Sequence, residues 1–152
     1  MNKPHQRLDS ISNAHVGADF EKAALLFFGK QGKQLTRNFP LEIGVHDKKK
    51  IHRFDLGSAN LKIIIECKSH KWTAGGKVPS AKMATWNEAM LYFHLAPKDF
   101  TKIFFTLHDK RQTNGESLVA YYKRTYAHII PKDVEFLEYD ESIGNIIHEQ
   151  VV

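Results

Sequence analysis

A chain of 152 residues, 42% apolar and 26% charged, is long enough to bury the core of one domain (1–152) and too ordinary in composition to be fibrous or disordered. The lone Cys67 excludes an intramolecular disulfide and a thiolate zinc cluster, and no apolar run approaches the ~18 residues of a membrane span. The polar stretch from Met1 to Asn13 lacks the apolar centre of a signal peptide, so a cytoplasmic, intracellular protein with no membrane partner is expected.

The net charge of +5 is clustered: Lys48, Lys49, Lys50, His52 and Arg53 form one group, and Lys68, His70, Lys71, Lys77 and Lys82 a second. Such clusters suit a polyanion, although solubilising surface lysines explain them equally well.

In chain order, "VGADFEKAALLFFGKQG" predicts a helix ending at Gly29 or Gly32. "QLTRNFPLEIGV" and "KIHRFDLGS" predict two strands joined by the polar turn "HDKK", hence a hairpin. "LKIIIECKS" predicts a third strand, whose β-branched run implies burial on both faces near its start. After the Gly-rich loop "WTAGGKVPS", a second helix is expected over 80–95, capped by Ser80. Met83, Trp86, Met90 and Phe93 recur along it at helical spacing and define its buried face. "FTKIFFTLHD" predicts a fourth strand, "ESLVAYYKRTYAH" a third helix, "DVEFLEY" a fifth strand, and a weak helical tail follows Asp140. Helix, three strands, helix, strand, helix, strand is the order of an α/β protein: a three-layer sandwich, its mixed sheet flanked by helices on both faces.

Strand alternation indicates which side chains meet. Ile64, Glu66 and Lys68 share one face of the third strand, and Ile65 and Cys67 the other. On the preceding strand Arg53, Asp55 and Gly57 face together, with Phe54 and Leu56 turned the other way as core. The short connection around "GSAN" makes these strands antiparallel neighbours and brings Asp55 close to Glu66. Two such carboxylates repel unless a proton or a cation lies between them. Oxygen ligands favour Mg²⁺, which keeps several waters and needs only one or two protein carboxylates. Lys68 is placed to hold a water or to offset charge on a phosphate. On the first helix, Glu21 has Gly17, Ala18, Ala24 and Leu25 at its i±3 and i±4 positions, an apolar surrounding that demands a partner unless the residue reaches out from the edge of the stripe. The competing account of Asp55, Glu66 and Lys68 is an ion pair or a set of exposed cross-strand charges at strand ends.

The helix with Glu21, Asp55 in "HRFD", "ECK" (Glu66, Cys67, Lys68), and the helix and strand that follow resemble the PD-(D/E)XK nuclease superfamily, the fold of many restriction endonucleases and archaeal-type Holliday-junction resolvases. The resemblance covers about 16–109, with 110–152 as a C-terminal extension. It implies a restriction-endonuclease-like fold and Mg²⁺-dependent hydrolysis of DNA phosphodiester bonds, with Mn²⁺ as a substitute. It implies further that Asp55 and Glu66 bind metal with the backbone carbonyl of Cys67, that Lys68 positions the attacking water, and that Glu21 contacts a metal. Phe54 stands where the name-giving proline would be, a position that shapes the strand and supplies no ligand.

Arg53, His70, Lys71, Lys77 and Lys82 flank these residues and are candidates to hold a DNA backbone. The loop "HKWTAGGKVPSAK" is the best candidate for substrate contact; Trp72 within it could stack on a base, but a lid over the core is the better account. Nine histidines without an HExxH pair do not make a zinc site, and the tyrosines 121, 122 and 126 read as a packing face. No G-x-S-x-G motif or phosphate-binding glycine fingerprint is present. The expected function is a DNA endonuclease of restriction type, with a junction resolvase, a repair nuclease or a non-cleaving nucleic-acid-binding module as alternatives. Double-strand cutting would need two binding events or a dimer; a homodimer is expected, with the third helix and the tail bearing Ile143, Ile146, Ile147, Val151 and Val152 as candidate faces.

Overall fold

The computed structural model describes residues 4–147, with side chains from residue 17 onward. Helix α1 (Pro4–Lys30) starts well before the stretch read from the sequence, with Pro4 in its first turn, where a missing N–H is harmless. It stops where Gly32 takes φ 78° and the N–H of Lys33 returns to the carbonyl of Phe28 at 3.0 Å. Phe20, Ala24 and Phe28 recur every four residues and are buried, whereas Ala18 is exposed, so the packing stripe passes to one side of Glu21 rather than through it.

Strands β1 (Thr36–Ile43) and β2 (Lys50–Ser58) form the expected hairpin, and β3 (Ile63–Lys68) pairs antiparallel with β2. Helix α2 (Ser80–Leu95) leads to β4 (Thr101–Leu107), and α3 (Leu118–Thr125) to β5 (Val134–Asp140). β3, β4 and β5 are parallel neighbours, and a two-residue β6 (Asn145–Ile146) closes the sheet antiparallel to β5, giving the order β1-β2-β3-β4-β5-β6. The two parallel connections run in the same direction across the sheet, so right-handed crossovers place α2 and α3 on the same face. One buried cluster joins Phe54, Ile64 and Phe104 to α2 and α3, and a second joins Leu56, Ile65 and Phe105 to α1. The architecture is therefore a six-stranded mixed sheet with helices on both faces.

The predicted face of α2 is buried at Met83, Trp86, Met90 and Phe93. Ser80 does not cap it: the cap is Pro79, whose carbonyl accepts from Met83 at 3.1 Å, and Ser80 is the first helical residue. Ser117 caps α3, its hydroxyl accepting from the Ala120 N–H at 3.0 Å.

The helical tail expected after Asp140 is replaced, over the described residues, by a tight turn and β6. Asp140 Oδ1 accepts from the Ser142 N–H at 2.9 Å, and Gly144 at φ 63° reverses the chain. Ile146 then packs on the α1 side of the sheet and Ile143 stays 64% exposed; Val151 and Val152 lie outside the described residues. No described helix is long and apolar enough to cross a membrane.

One irregularity shapes everything near the acidic residues. Phe39 pairs with Phe54, and both belong to the α2 side of the sheet. Arg37 pairs with Leu56, which lies in the α1-side cluster. Two residues apart on each strand, the side chains should share a face. The alternation is broken between them, at Asn38 (φ 52°) and at Asp55 opposite it. Phe54 and Leu56 are thus both core, as expected, but on opposite faces of the sheet. Past the break, the Phe39 ring covers Gly57, where a Cβ would lie 2.4 Å from its Cδ1.

Candidate functional site

The break at Asp55 takes its side chain out of the regular alternation and into the gap between β2 and β3. Register pairing of these strands runs from Ser58–Ile63 to Leu56–Ile65 and ends there. The Cys67 N–H donates to Asp55 Oδ2 at 2.8 Å. A carboxylate has taken the place of the next rung of the ladder, and the strands splay around it.

Asp55 is within hydrogen-bonding reach of Glu21 from α1 and of Glu66 from β3. Burial, and next the neighbouring Glu66 charge, push the Asp55 carboxyl up to about 6, against the opposing pull of the Cys67 N–H. Glu21 is raised as well, by burial and then by Asp55, while Arg37 acts the other way through an ion pair of 3.1 Å. Glu66 is 6% exposed, and its Oε1 accepts from His52 Nε2 at 2.9 Å. Three carboxylates from three elements therefore form a chain with Asp55 in the middle.

Lys68 is half-buried beyond them, paired in the sheet with buried Thr106 of β4, and its ammonium makes no hydrogen bond or ion pair with another described residue. The Cys67 thiol is held well above its usual pKa, first by burial and then by the three acids, and so stays protonated.

Among the described residues, no three His, Cys, Asp or Glu side chains are gathered in an arrangement that could hold a metal ion. Each acid is engaged elsewhere: Glu21 with Arg37, Asp55 with the Cys67 N–H, Glu66 with His52. The donor chemistry nevertheless fits a hard divalent cation, because Asp55 and Glu66 offer only oxygen, and Mg²⁺ can complete its shell with water.

The chain matches no protein-family description, no curated protein and no solved structure. Function rests on the residues themselves.

The expected DNA-contacting residues divide. Arg53, Lys71, Lys77 and Lys82 are exposed, with Arg53 Nη1 3.4 Å from the Asn38 carbonyl. His70 is half-buried and its Nδ1 accepts the Trp86 indole N–H at 2.8 Å. Burial, then Lys68 and Lys82, lower its pKa to about 4, so it carries no positive charge at neutral pH and can offer only a ring N–H. Trp72 is a lid. It is 8% exposed, its N–H donates to Asp109 Oδ2 at 2.8 Å, and its indole N–H donates to the Glu116 carbonyl at 3.1 Å.

These bonds, with Arg111 Nε donating to the Gly76 carbonyl at 2.6 Å, tie the loops after β3 and β4 together around a cleft of about 360 Å³. Lys71 and Gly75 line one side of it, Lys110 and Gln112 the other. Arg37 and Arg111 were missed by sequence reasoning, because each acts on a residue at least 16 positions away and neither sits in a motif.

Proposed function

We propose that this chain is a metal-dependent endonuclease of the restriction-endonuclease-like fold that hydrolyses DNA phosphodiester bonds. The observation that carries the reading is the meeting of Glu21, Asp55 and Glu66 where β2 and β3 part, with Lys68, whose ammonium pairs with no other described residue, two residues beyond Glu66 on β3. Acids crowded to this degree, one of them pushed to about 6, are unfavourable for the fold alone and suit a cation-binding role. The order α1, three strands, α2, β4 is the order that the resemblance implies.

Asp55 and Glu66 would hold Mg²⁺, or Mn²⁺ in its place, with the Cys67 carbonyl; Glu21 would reach it through water. When bound, the ion supplies Lewis-acid polarisation of the phosphate and neutralises charge on the leaving oxygen. Lys68 orients the attacking water and offsets charge that develops on the phosphate. Arg53, Lys71, Lys77 and Lys82 contact the phosphate backbone electrostatically, which strengthens binding without reading sequence. Double-strand cutting by one site per chain calls for a homodimer or for two successive binding events.

The test is nicking of supercoiled plasmid with Mg²⁺, Mn²⁺ or EDTA, alongside Asp55→Ala and Lys68→Ala. Metal-dependent nicking, abolished in both variants, is the expected result. Four-way junctions in the same assay separate a resolvase from a restriction-type enzyme. DNA binding without cleavage of either substrate would overturn the nuclease reading in favour of a non-cleaving binding module.

A further inference from the structure

We infer that His52 is the positioning residue for Glu66, a role that rests on the nuclease reading above. His52 Nε2 lies 2.9 Å from Glu66 Oε1. An ionised carboxylate only accepts, so the Nε2–H donates and one of the two Glu66 oxygens is committed to the imidazole. The other is left for the side shared with Asp55.

The ring is itself held from two directions. Tyr92 of α2 stacks on it at 3.8 Å between centroids and 21° between planes, and Phe54 meets it edge-on at 4.6 Å and 90°. A glutamate carboxylate turns freely about its last torsion, whereas an imidazole clamped between two aromatic rings has one direction in which to donate. His52 therefore transmits the rigidity of the β2–α2 packing to the carboxylate. Its orientation is what a cation ligand needs, because outer partners of metal-ligating side chains typically contribute 10–100-fold to metal affinity or activity. A residue that merely filled the core would not need its polar edge aimed at Glu66, itself only 6% exposed.

Three substitutions separate the hydrogen bond from the packing. His52→Phe keeps the aromatic stack and removes the donor; His52→Gln keeps a donor at similar reach; His52→Ala removes both. Melting temperatures establish that each variant is folded, and plasmid nicking and Mn²⁺ binding by electron paramagnetic resonance are then measured. His52→Phe is expected to lose about 10–100-fold in kcat and to bind Mn²⁺ correspondingly more weakly, with the KM for plasmid unchanged. His52→Gln is expected to recover most of both, and His52→Ala to resemble His52→Phe. If folded His52→Phe matches wild type in kcat and Mn²⁺ affinity, or folded His52→Gln is no better than His52→Phe, the inference is overturned. If wild type neither cuts DNA nor binds Mn²⁺, the nuclease reading has failed first and the role of His52 falls with it.

Discussion

Removing the charge of Asp55 should stabilise the protein when no divalent cation is present. Its carboxyl is displaced from an ordinary 3.8 to about 6, chiefly by burial and by Glu66, so at neutral pH the folded state holds a charge that the unfolded chain carries more easily. That displacement corresponds to ~3 kcal/mol. Asparagine has the same shape, and its side-chain oxygen still accepts the Cys67 N–H, so Asp55→Asn removes most of the penalty without opening a cavity. At ~2–4 °C per kcal/mol for a chain of this size, melting should rise by about 5–10 °C in EDTA. A folded pKa above the unfolded one means that protonation favours the fold. Wild-type Asp55 therefore contributes more stability as pH falls from about 6 towards 3.8, and the two proteins should converge in acid. Mg²⁺ should raise the melting point of wild type by binding the folded form, and that of Asp55→Asn much less. Thermal unfolding followed by circular dichroism, in EDTA and in Mg²⁺, at neutral pH and in acid, tests all of this. If Asp55→Asn melts at or below wild type in EDTA at neutral pH, or the difference between them does not shrink in acid, the reasoning is wrong.

Other expectations concern the surroundings of the site. His70 should titrate near 4 in a proton NMR titration of the ring, and its folded pKa below the unfolded one means stability is lost as pH falls from about 6.5 to 4, opposite in sign to Asp55. A His70 midpoint near 6.5 would mean that the ring is not buried beside Lys68 and Lys82. Gly57→Ala would place a Cβ 2.4 Å from Phe39 Cδ1, and forcing the ring aside should destabilise the fold by ~1–3 kcal/mol in urea denaturation. An unchanged midpoint would mean that the Phe39 ring does not lie over Gly57.

Much of the fold was legible because its signals are local. The buried face of α2 follows from four apolar residues at helical spacing, and the burial of β3 from three consecutive isoleucines. The proximity of Asp55 and Glu66 followed from short connections and antiparallel pairing. The tail was misread because Ile143, Ile146 and Ile147 mimic a helical stripe, whereas the Asp140 turn and Gly144 compete for the same backbone. Ser80 looked like a cap because it opens the helix, yet Pro79 needs no side-chain partner to start one.

From the sequence alone, the order of elements, the α/β class and the three acids with Lys68 can be read, since they depend on residue type and on periods of two and 3.6. Tertiary structure alone decided how the acids meet. Strict alternation would keep Phe54 and Leu56 on one face; the break at Asn38 and Asp55 separates them and turns the Asp55 carboxylate into the gap towards Cys67, within reach of both Glu21 and Glu66. It alone paired Arg37 with Glu21 and His52 with Glu66. The reason is physical: periodicity records which face a side chain takes, whereas its partner depends on where distant elements come to rest, and nothing in a residue's immediate neighbours specifies that.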